Sequence, residues 1–348
     1  MQALLAPLGW IYVGLIRFRL WFYASGLKSP SHLKKPVICI GNLTMGGTGK
    51  TPTVIAIGRL LQEKGYRITV ILRGYKGSHR GTPLLVSNGT ALLATSQQAG
   101  DEALLLAKHL PGAIVAASKD RKSCGDWLER NFSIDVHLLD DGFQHLRLFR
   151  DLNLLLLDVT NPFAAGFPPQ GQLREPLSGI KRADAILLTR TRVGNSYDAL
   201  VQEVKMYRAD LPIFRVRQRI RAVESLRGGE YLEPEQLCNT ALLAFAGIGN
   251  PNQFFSLLKE SHFRILESHA FPDHHRYTPQ NIATLTSLSA AIGIKSMITT
   301  EKDAQKLRAE DFPSHEIWVA KLEFELEDAS RLLSLIQQKI DPEATQSV

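Results

Sequence analysis

An α/β fold built on a mainly parallel sheet is what this chain of 348 residues predicts, and three observations carry it. Strand-length apolar runs recur along the first two thirds. They are continuous rather than alternating, as strands covered on both faces require. Helix-like segments fall between several of them. The pattern then breaks near Pro212 and resumes, so the length and the break together predict a second, smaller α/β domain.

The chain opens with a stretch of another kind. Ala3 to Lys28 holds two Trp, two Tyr and two Phe, interrupted by Pro7, Gly9, Gly14, Arg17 and Arg19. Its clean apolar part, Ala3 to Ile16, is short of the about 20 residues a spanning helix needs. It lacks the basic start of a signal peptide. Its aromatic residues suit a headgroup layer, and Arg17, Arg19, Lys28, Lys34 and Lys35 suit anionic lipids. Residues 1–28 therefore predict a helix that lies on a membrane surface.

Strands are expected at Val37–Ile40, Ile68–Leu72, Ala113–Ala116, Val136–Leu139, Leu152–Leu157 and Ala185–Leu188. Helices are expected at Thr53–Lys64, Glu102–His109 and Asp120–Asn131. These make a first domain of residues 29–212. Residues 213–240 alternate apolar and charged side chains and turn through Gly228–Gly229, as a hairpin-like connector does. Residues 241–348 form the second domain. Its expected strands are Ala241–Ala246, Phe263–Ser268, Ser296–Thr299 and Ile317–Val319, and its expected helices Asn252–Glu260, Pro279–Ala290 and Ala329–Lys339.

Composition narrows the function. Hydrophobic residues make up 44% and charged residues 22%, which excludes a disordered chain. A formal charge of +7 favours an anionic partner. No DNA- or RNA-binding module signature accompanies it, so no nucleic-acid partner is expected. The three cysteines, Cys39, Cys124 and Cys238, lie far apart, as reduced cytosolic thiols do. Nothing in the sequence specifies an oligomeric state.

The most informative stretch is IGNLTMGGTGKTP, Ile40 to Pro52. Strand, glycine loop and helix in that order are the setting of a Walker A phosphate loop, or P-loop. Glycines let backbone N–H groups turn inward around a phosphate chain, and the following helix points its positive end there. Thr44, Met45, Gly46, Gly47, Thr48, Gly49, Lys50 and Thr51 are the expected ATP-binding residues. Lys50 supplies a point charge and Thr51 a hydroxyl for Mg²⁺. Thr44 stands where the strict pattern has its first glycine.

A P-loop needs an acid at a neighbouring strand end. Asp140 and Asp141 close VHLLDD, and Asp158 closes LNLLLLD. The first pair runs into the polar loop DDGFQHLRL and is favoured; Asp158 leads into a plain turn. A P-loop alone does not separate a kinase from a nucleotide switch or an ATP-driven assembly or targeting protein. A kinase also needs a base for its acceptor. AGDEALLLAKHL presents Asp101 at a helix start, where a capping role would also explain it. FPDHHRYTP presents Asp273, His274 and His275, which surface-loop residues would equally explain.

The motifs GNLTMGGTGKTP, RGY (Arg73–Tyr75), GDE (Gly100–Glu102), DR (Asp120–Arg121), DDGFQH, GQLREP, FPDHHRYT and TTEKDAQKL (Thr299–Leu307) occur in this order. Together they resemble the tetraacyldisaccharide 4′-kinase family over nearly the whole chain. The resemblance implies two α/β lobes joined by a two-stranded linker. It implies transfer of the γ-phosphate of ATP to the 4′-hydroxyl of a tetraacyldisaccharide 1-phosphate, giving lipid IVA. It implies peripheral contact with the inner membrane, on its cytoplasmic face, where the lipid substrate lies. It assigns Asp101 as catalytic base working with His274, beside Asp273. It places Asp140, Asp141 and Glu175 near the metal, and Arg73, Arg121, Gln144 and His145 near substrate or phosphate. Pairing Asp101 with His274 would draw on both lobes. The family tolerates a residue other than glycine at Thr44.

Overall fold

The computed structural model describes residues 6–46, 48–74, 83–164, 166–168, 170–192 and 194–340. The chain forms two compact units. The first comprises the chain up to Arg217 and again from Glu325, and the second is Gln218–Phe324.

In the first unit, α1 (Ala6–Ala24) precedes β1 (Val37–Asn42), every residue of which is buried. The helix α2 (Lys50–Glu63) follows the glycine loop. Pro52 sits in its first turn, where a missing N–H costs nothing. Val54, Ile57, Gly58 and Leu61 form its buried face at helical spacing. Gly65, at φ 83°, ends it: the Gly65 and Tyr66 amides bond back to Gln62 and Leu61.

There follow β2 (Ile68–Leu72), β3 (Leu84–Asn88), α3 (Ser96–Ala99), α4 (Asp101–His109), β4 (Ile114–Ala117), α5 (Arg121–Asn131), β5 (Val136–Asp140), β6 (Leu152–Asp158), β7 (Ala185–Thr191), α6 (Asp198–Tyr207) and β8 (Ile213–Ser225). The strand order is β8-β7-β6-β1-β5-β2-β4-β3. All neighbours pair in parallel except β3, which runs antiparallel to β4 at the edge. The mainly parallel α/β fold expected from the continuous apolar runs is thus confirmed. β3 and α6 were not legible as elements, because LLVSN carries little strand character and α6 buries only Val204.

The central position of β1 decides the geometry of everything that follows. It lies between β5 and β6, with Ile40 in register with Asp140. The glycine loop after β1 and the acids after β5 therefore emerge side by side at the carboxyl end of the sheet, where open α/β sheets place ligands. Gly41 permits the packing beneath: a Cβ there would stand 2.7 Å from Phe143 Cβ and 2.9 Å from its amide nitrogen.

In the second unit, β8 turns through Gly228 and Gly229, both at positive φ, into the antiparallel β9 (Tyr231–Leu232). Then come α7 (Pro234–Leu237), β10 (Leu242–Ala246), α8 (Pro251–Glu260), β11 (Ile265–Ala270), α9 (Pro279–Ala291), β12 (Ser296–Thr300), α10 (Glu301–Ala304) and β13 (Glu316–Leu326). The order is β11-β10-β12-β13-β8, and β11, β10, β12 and β13 pair in parallel. One core packs α8 through Phe254, Phe255 and Leu258. A second packs Leu285 of α9 with Phe245, Phe271 and Phe312.

The chain passes from the first unit to the second within β8 and returns within β13. The last helix, α11 (Ala329–Ile340), therefore belongs to the first unit, with Arg331 stacked over Phe214 at 5.4 Å. A linear boundary at residue 241 does not describe this arrangement, since helical periodicity does not reveal which sheet a helix covers. Residues 1–5 and 341–348, inside the expected terminal segments, lie outside the described residues.

Candidate active site

The glycine loop is held open by its own neighbours. Asn42, the last residue of β1, donates from Nδ2 to Thr48 Oγ1 at 2.8 Å and to Thr44 Oγ1 at 3.2 Å. Gly46 and Gly49 have φ of 102° and 82°, a backbone that side chains rarely tolerate. Gly47 lies outside the described residues. Lys50 Nζ donates to Gly46 O at 3.3 Å and Asn42 Oδ1 at 3.4 Å, and lies 3.8 Å from Asp141 Oδ1. Thr51 is buried in the first turn of α2.

A second segment braces this loop. Arg174 N donates to Leu43 O at 2.7 Å, Met45 N donates to Gln172 O at 2.6 Å, and Thr44 bridges Leu173 in antiparallel fashion. The GQLREP motif is therefore a short backbone partner of the P-loop entrance. Thr44 adopts an extended bridge here, which explains why a glycine is dispensable at that position.

The two strand-end acids are in contrasting states. Asp140 is buried, and its Oδ1 has no hydrogen-bond partner. Burial, reinforced by the charges of Glu102 and Asp141, pushes its carboxyl up to about 7. Asp141 takes a left-handed backbone, φ 49°. Arg174 Nη1 donates to both of its oxygens, at 2.7 and 2.8 Å. Burial works to raise the Asp141 carboxyl, but Lys50 and Arg174 outweigh it and hold the group below its ordinary value. Asp158, the alternative acid, accepts from Thr160 N and Oγ1 and pairs with Arg190. It closes a turn.

Glu175 is buried and fully engaged. Arg182 Nη2 donates to both of its oxygens, at 2.7 and 2.8 Å, and Gln144 Nε2 donates at 3.0 Å. Gln144 also donates to Asn42 O at 2.8 Å. The structure therefore gives Glu175 the job of fixing Gln144 and Arg182. Arg121 is likewise buried, and its guanidinium donates to the carbonyls of Asp140 and Asp141 at 2.8 to 3.2 Å. His145 is pushed down to about 4 by burial and by the charges of Arg121, Arg150 and Arg19. At neutral pH it is an uncharged imidazole, a hydrogen-bonding group rather than a cation. Arg73 is exposed at the end of β2. Its neighbour Tyr75 lies outside the described residues.

Asp101 is the first residue of α4, and Gly100, at φ 89°, occupies the cap position. Asp101 is thus a first-turn acid beside Glu102 rather than the N-cap itself. Asp273 and His274 belong to the second unit, on the loop after β11. His274 takes a left-handed backbone, φ 58°, and its Nε2 lies 3.9 Å from Asp273 Oδ2.

A family model described as tetraacyldisaccharide-1-P 4′-kinase matches residues 1–341. The chain belongs to this family. It is 38% identical over 337 residues to the tetraacyldisaccharide 4′-kinase of Geobacter metallireducens, covering 97% of both chains. It is 38% identical over 338 residues to that of Pelobacter propionicus, covering 96% of this chain and 91% of the relative. The crystal structure of LpxK from Aquifex aeolicus, described as an apo form in complex with ATP, superposes with a TM-score of 0.76. It shares 33% identity and covers 97% of this chain and 99% of that one. The protein is thus an ATP-dependent kinase of lipid A biosynthesis.

Asn42, Arg174 and Arg182 are the members of this kinase site that sequence reasoning missed. Each lay inside a recognised motif or beside one. Their signal was adjacency to Gly41, Glu175 and the 3₁₀ turn Leu177–Arg182, which spacing does not read as contact.

Proposed function

We infer that the protein moves the γ-phosphate of ATP to the 4′-hydroxyl of a tetraacyldisaccharide 1-phosphate, giving lipid IVA, at the strand-end cluster of the first unit. One observation carries the siting. Lys50, at the start of α2, and Asp141, directly after β5, stand 3.8 Å apart, with the unpartnered Asp140 Oδ1 beside them at the end of β5. That is a cation for phosphate and acids for a metal, presented together.

The loop from Thr44 to Thr51 and the amino end of α2 would hold the triphosphate, with Lys50 transferring from Gly46 O and Asn42 to phosphate oxygens. The donor set fits Mg²⁺: a buried carboxylate oxygen without a partner on Asp140, and the hydroxyl of Thr51, are hard oxygen ligands. When bound, Mg²⁺ neutralises charge on the β- and γ-phosphates. Asp141 and Glu175, each paired with an arginine, hold the frame around that position. Asp101 takes the proton of the 4′-hydroxyl as its oxygen attacks phosphorus and ADP leaves. His274, on the loop after β11, is the second proposed acid–base group.

The acceptor stays in its bilayer, because extracting acyl chains costs about 0.8 kcal/mol per CH₂. No helix among the described residues is long and apolar enough to cross a membrane. On α1, Leu15, Phe18 and Trp21 point outward from successive turns and are 65%, 61% and 56% exposed. The same helix is tied to the site loops. Tyr12 Oη donates to Arg174 O at 3.2 Å, and Arg19 Nη2 donates to Gln144 O at 3.0 Å. These features support peripheral docking on the cytoplasmic face of the inner membrane.

The test is turnover of γ-labelled ATP with tetraacyldisaccharide 1-phosphate in mixed micelles. Label is expected on the 4′-oxygen of the lipid. Lipid-stimulated release of inorganic phosphate without a phospho-lipid would instead favour an assembly or targeting ATPase.

A further inference from the structure

The second unit contains a buried carboxyl group that the proposed mechanism does not use. Asp303, in the TTEKD turn that begins α10, is completely buried. Its Oδ2 accepts from Thr300 Oγ1 at 2.7 Å and from the backbone N–H of Gly247 at 3.0 Å. Its Oδ1 and the buried hydroxyl of Tyr277 make no hydrogen bond of ordinary geometry, yet the two groups interact: burial and the Asp303 carboxyl both push the Tyr277 hydroxyl up from its ordinary value. A buried acid with one satisfied oxygen is costly unless the contact it makes is needed.

That contact leads to His274. Gly247 immediately follows β10, and its carbonyl accepts the backbone N–H of His274 at 3.0 Å. Gly247 therefore links the two: its N–H donates to the Asp303 carboxyl and its C=O accepts from the backbone of His274, the second proposed acid–base residue. Gly247 has to be glycine. A Cβ there would meet His275 Cβ at 2.8 Å, Asp303 Oδ1 at 3.1 Å and Tyr277 Oη at 3.3 Å. The loop after β11 is thus pressed down on this turn.

The neighbouring histidine is fixed in another way. His275 stacks on Phe271 with ring centroids 4.5 Å apart, and its Nε2 lies 3.0 Å from Asn281 Oδ1. That oxygen can only accept, so Nε2 of His275 carries the proton and its ring is committed to the fold. The main chain of His274, in its left-handed conformation, is held by the bond to Gly247.

We propose that Asp303 is a positioning residue for His274, acting through the backbone on both sides of Gly247. This rests on the reading of His274 as an acid–base group of the reaction. In the transition state a displacement of about 1 Å in such a group costs on the order of 10²-fold in rate. Asp303→Ala removes the acceptor for Gly247, whereas Asp303→Asn keeps an oxygen for Gly247 and Thr300 and offers Tyr277 Oη a donor.

The experiment compares the full-length wild type with Asp303→Ala, Asp303→Asn, Gly247→Ala and His274→Ala. It measures kcat for lipid phosphorylation, KM for ATP, and amide hydrogen exchange over Phe271–Tyr277. Asp303→Ala should lower kcat roughly 10- to 100-fold with KM for ATP within about 2-fold, and should speed exchange at His274 about 10-fold or more. Asp303→Asn should recover most of kcat. Adding Asp303→Ala to His274→Ala should cost little more than His274→Ala alone. Should Asp303→Ala fail to fold, Gly247→Ala, which keeps the carboxyl but displaces the loop, is expected to show the same faster exchange and lower kcat. Unchanged exchange over Phe271–Tyr277 in a folded Asp303→Ala or Gly247→Ala enzyme overturns the positioning role. So does an equal loss of kcat in the His274→Ala background. A His274→Ala enzyme with wild-type kcat overturns the proton role of His274 instead, and the exchange result then decides the positioning by itself.

Discussion

Arg174 holds Asp141 by a single nitrogen that spans both carboxylate oxygens, at 2.7 and 2.8 Å, while its own backbone amide bonds Leu43 at the entrance of the P-loop. One residue thus sets the spacing between the phosphate loop and the strand-end acid. Deleting its side chain leaves Asp141 to Lys50, the cation that ATP needs. Arg174→Ala should therefore lower kcat by roughly 10-fold or more, the scale of a misplaced charged group. Because the contact uses one nitrogen rather than a fork, Arg174→Lys should recover much of the loss, contrary to the rule at bidentate sites. Steady-state kinetics of the two variants checks this; equal defects would show that the planar guanidinium matters.

Asp140 predicts a measurable conflict between stability and function. Its carboxyl is raised from an ordinary 3.8 to about 7. Between those values the folded chain binds more protons than the unfolded chain, so stability falls as pH rises through that window. The full effect is bounded by about 4 kcal/mol, at about 1.4 kcal/mol for each pH unit of displacement. Asp140→Asn should be the more stable protein at pH 8 without Mg²⁺, with a flatter stability profile between about pH 4 and 7, and should have little activity. Thermal melts across pH, with and without Mg²⁺-ATP, test it. A variant whose profile parallels the wild type would mean that Asp140 is not the strained acid.

Exposed aromatics on a helix bound to the catalytic loops predict a surface that meets lipid. Replacing Leu15, Phe18 and Trp21 by serine should weaken partition onto anionic vesicles by roughly 10-fold or more, since each large apolar side chain contributes about 1.5–3 kcal/mol when buried. ATP affinity should stay within about 2-fold, because these side chains are exposed and the bonds from the helix to the site loops are made by Tyr12 and Arg19. Sedimentation with vesicles checks the first and nucleotide titration the second. Unchanged partition would assign membrane contact to another surface.

Much of this architecture was legible because its cause is local. Continuous apolar runs such as VICI and LNLLLL mark strands buried on both faces, and β1 and β6 are buried throughout. Asp140 and Asp141 were legible as strand-end acids for the same reason. What spacing could not reveal was who satisfies whom. Glu175 looks like a metal acid until Arg182 and Gln144 are seen on it, and Arg121 looks like a phosphate ligand until its donors are found on strand-end carbonyls. Asp303 was visible only as part of a motif, since its contact with Gly247 joins residues 56 positions apart. The C-terminal helix was misplaced because amphipathic periodicity identifies a helix without naming the sheet that it covers.

The measurement closest to the core of this account is single-turnover phosphoryl transfer by Asp101→Ala with ATP and tetraacyldisaccharide 1-phosphate both saturating, alongside the dissociation constant for ATP. Transfer slowed by about 10² or more, the usual range for loss of a general base, is expected, with ATP bound as tightly as by the wild type. Transfer at the wild-type rate would contradict it and return Asp101 to the ordinary first turn of a helix.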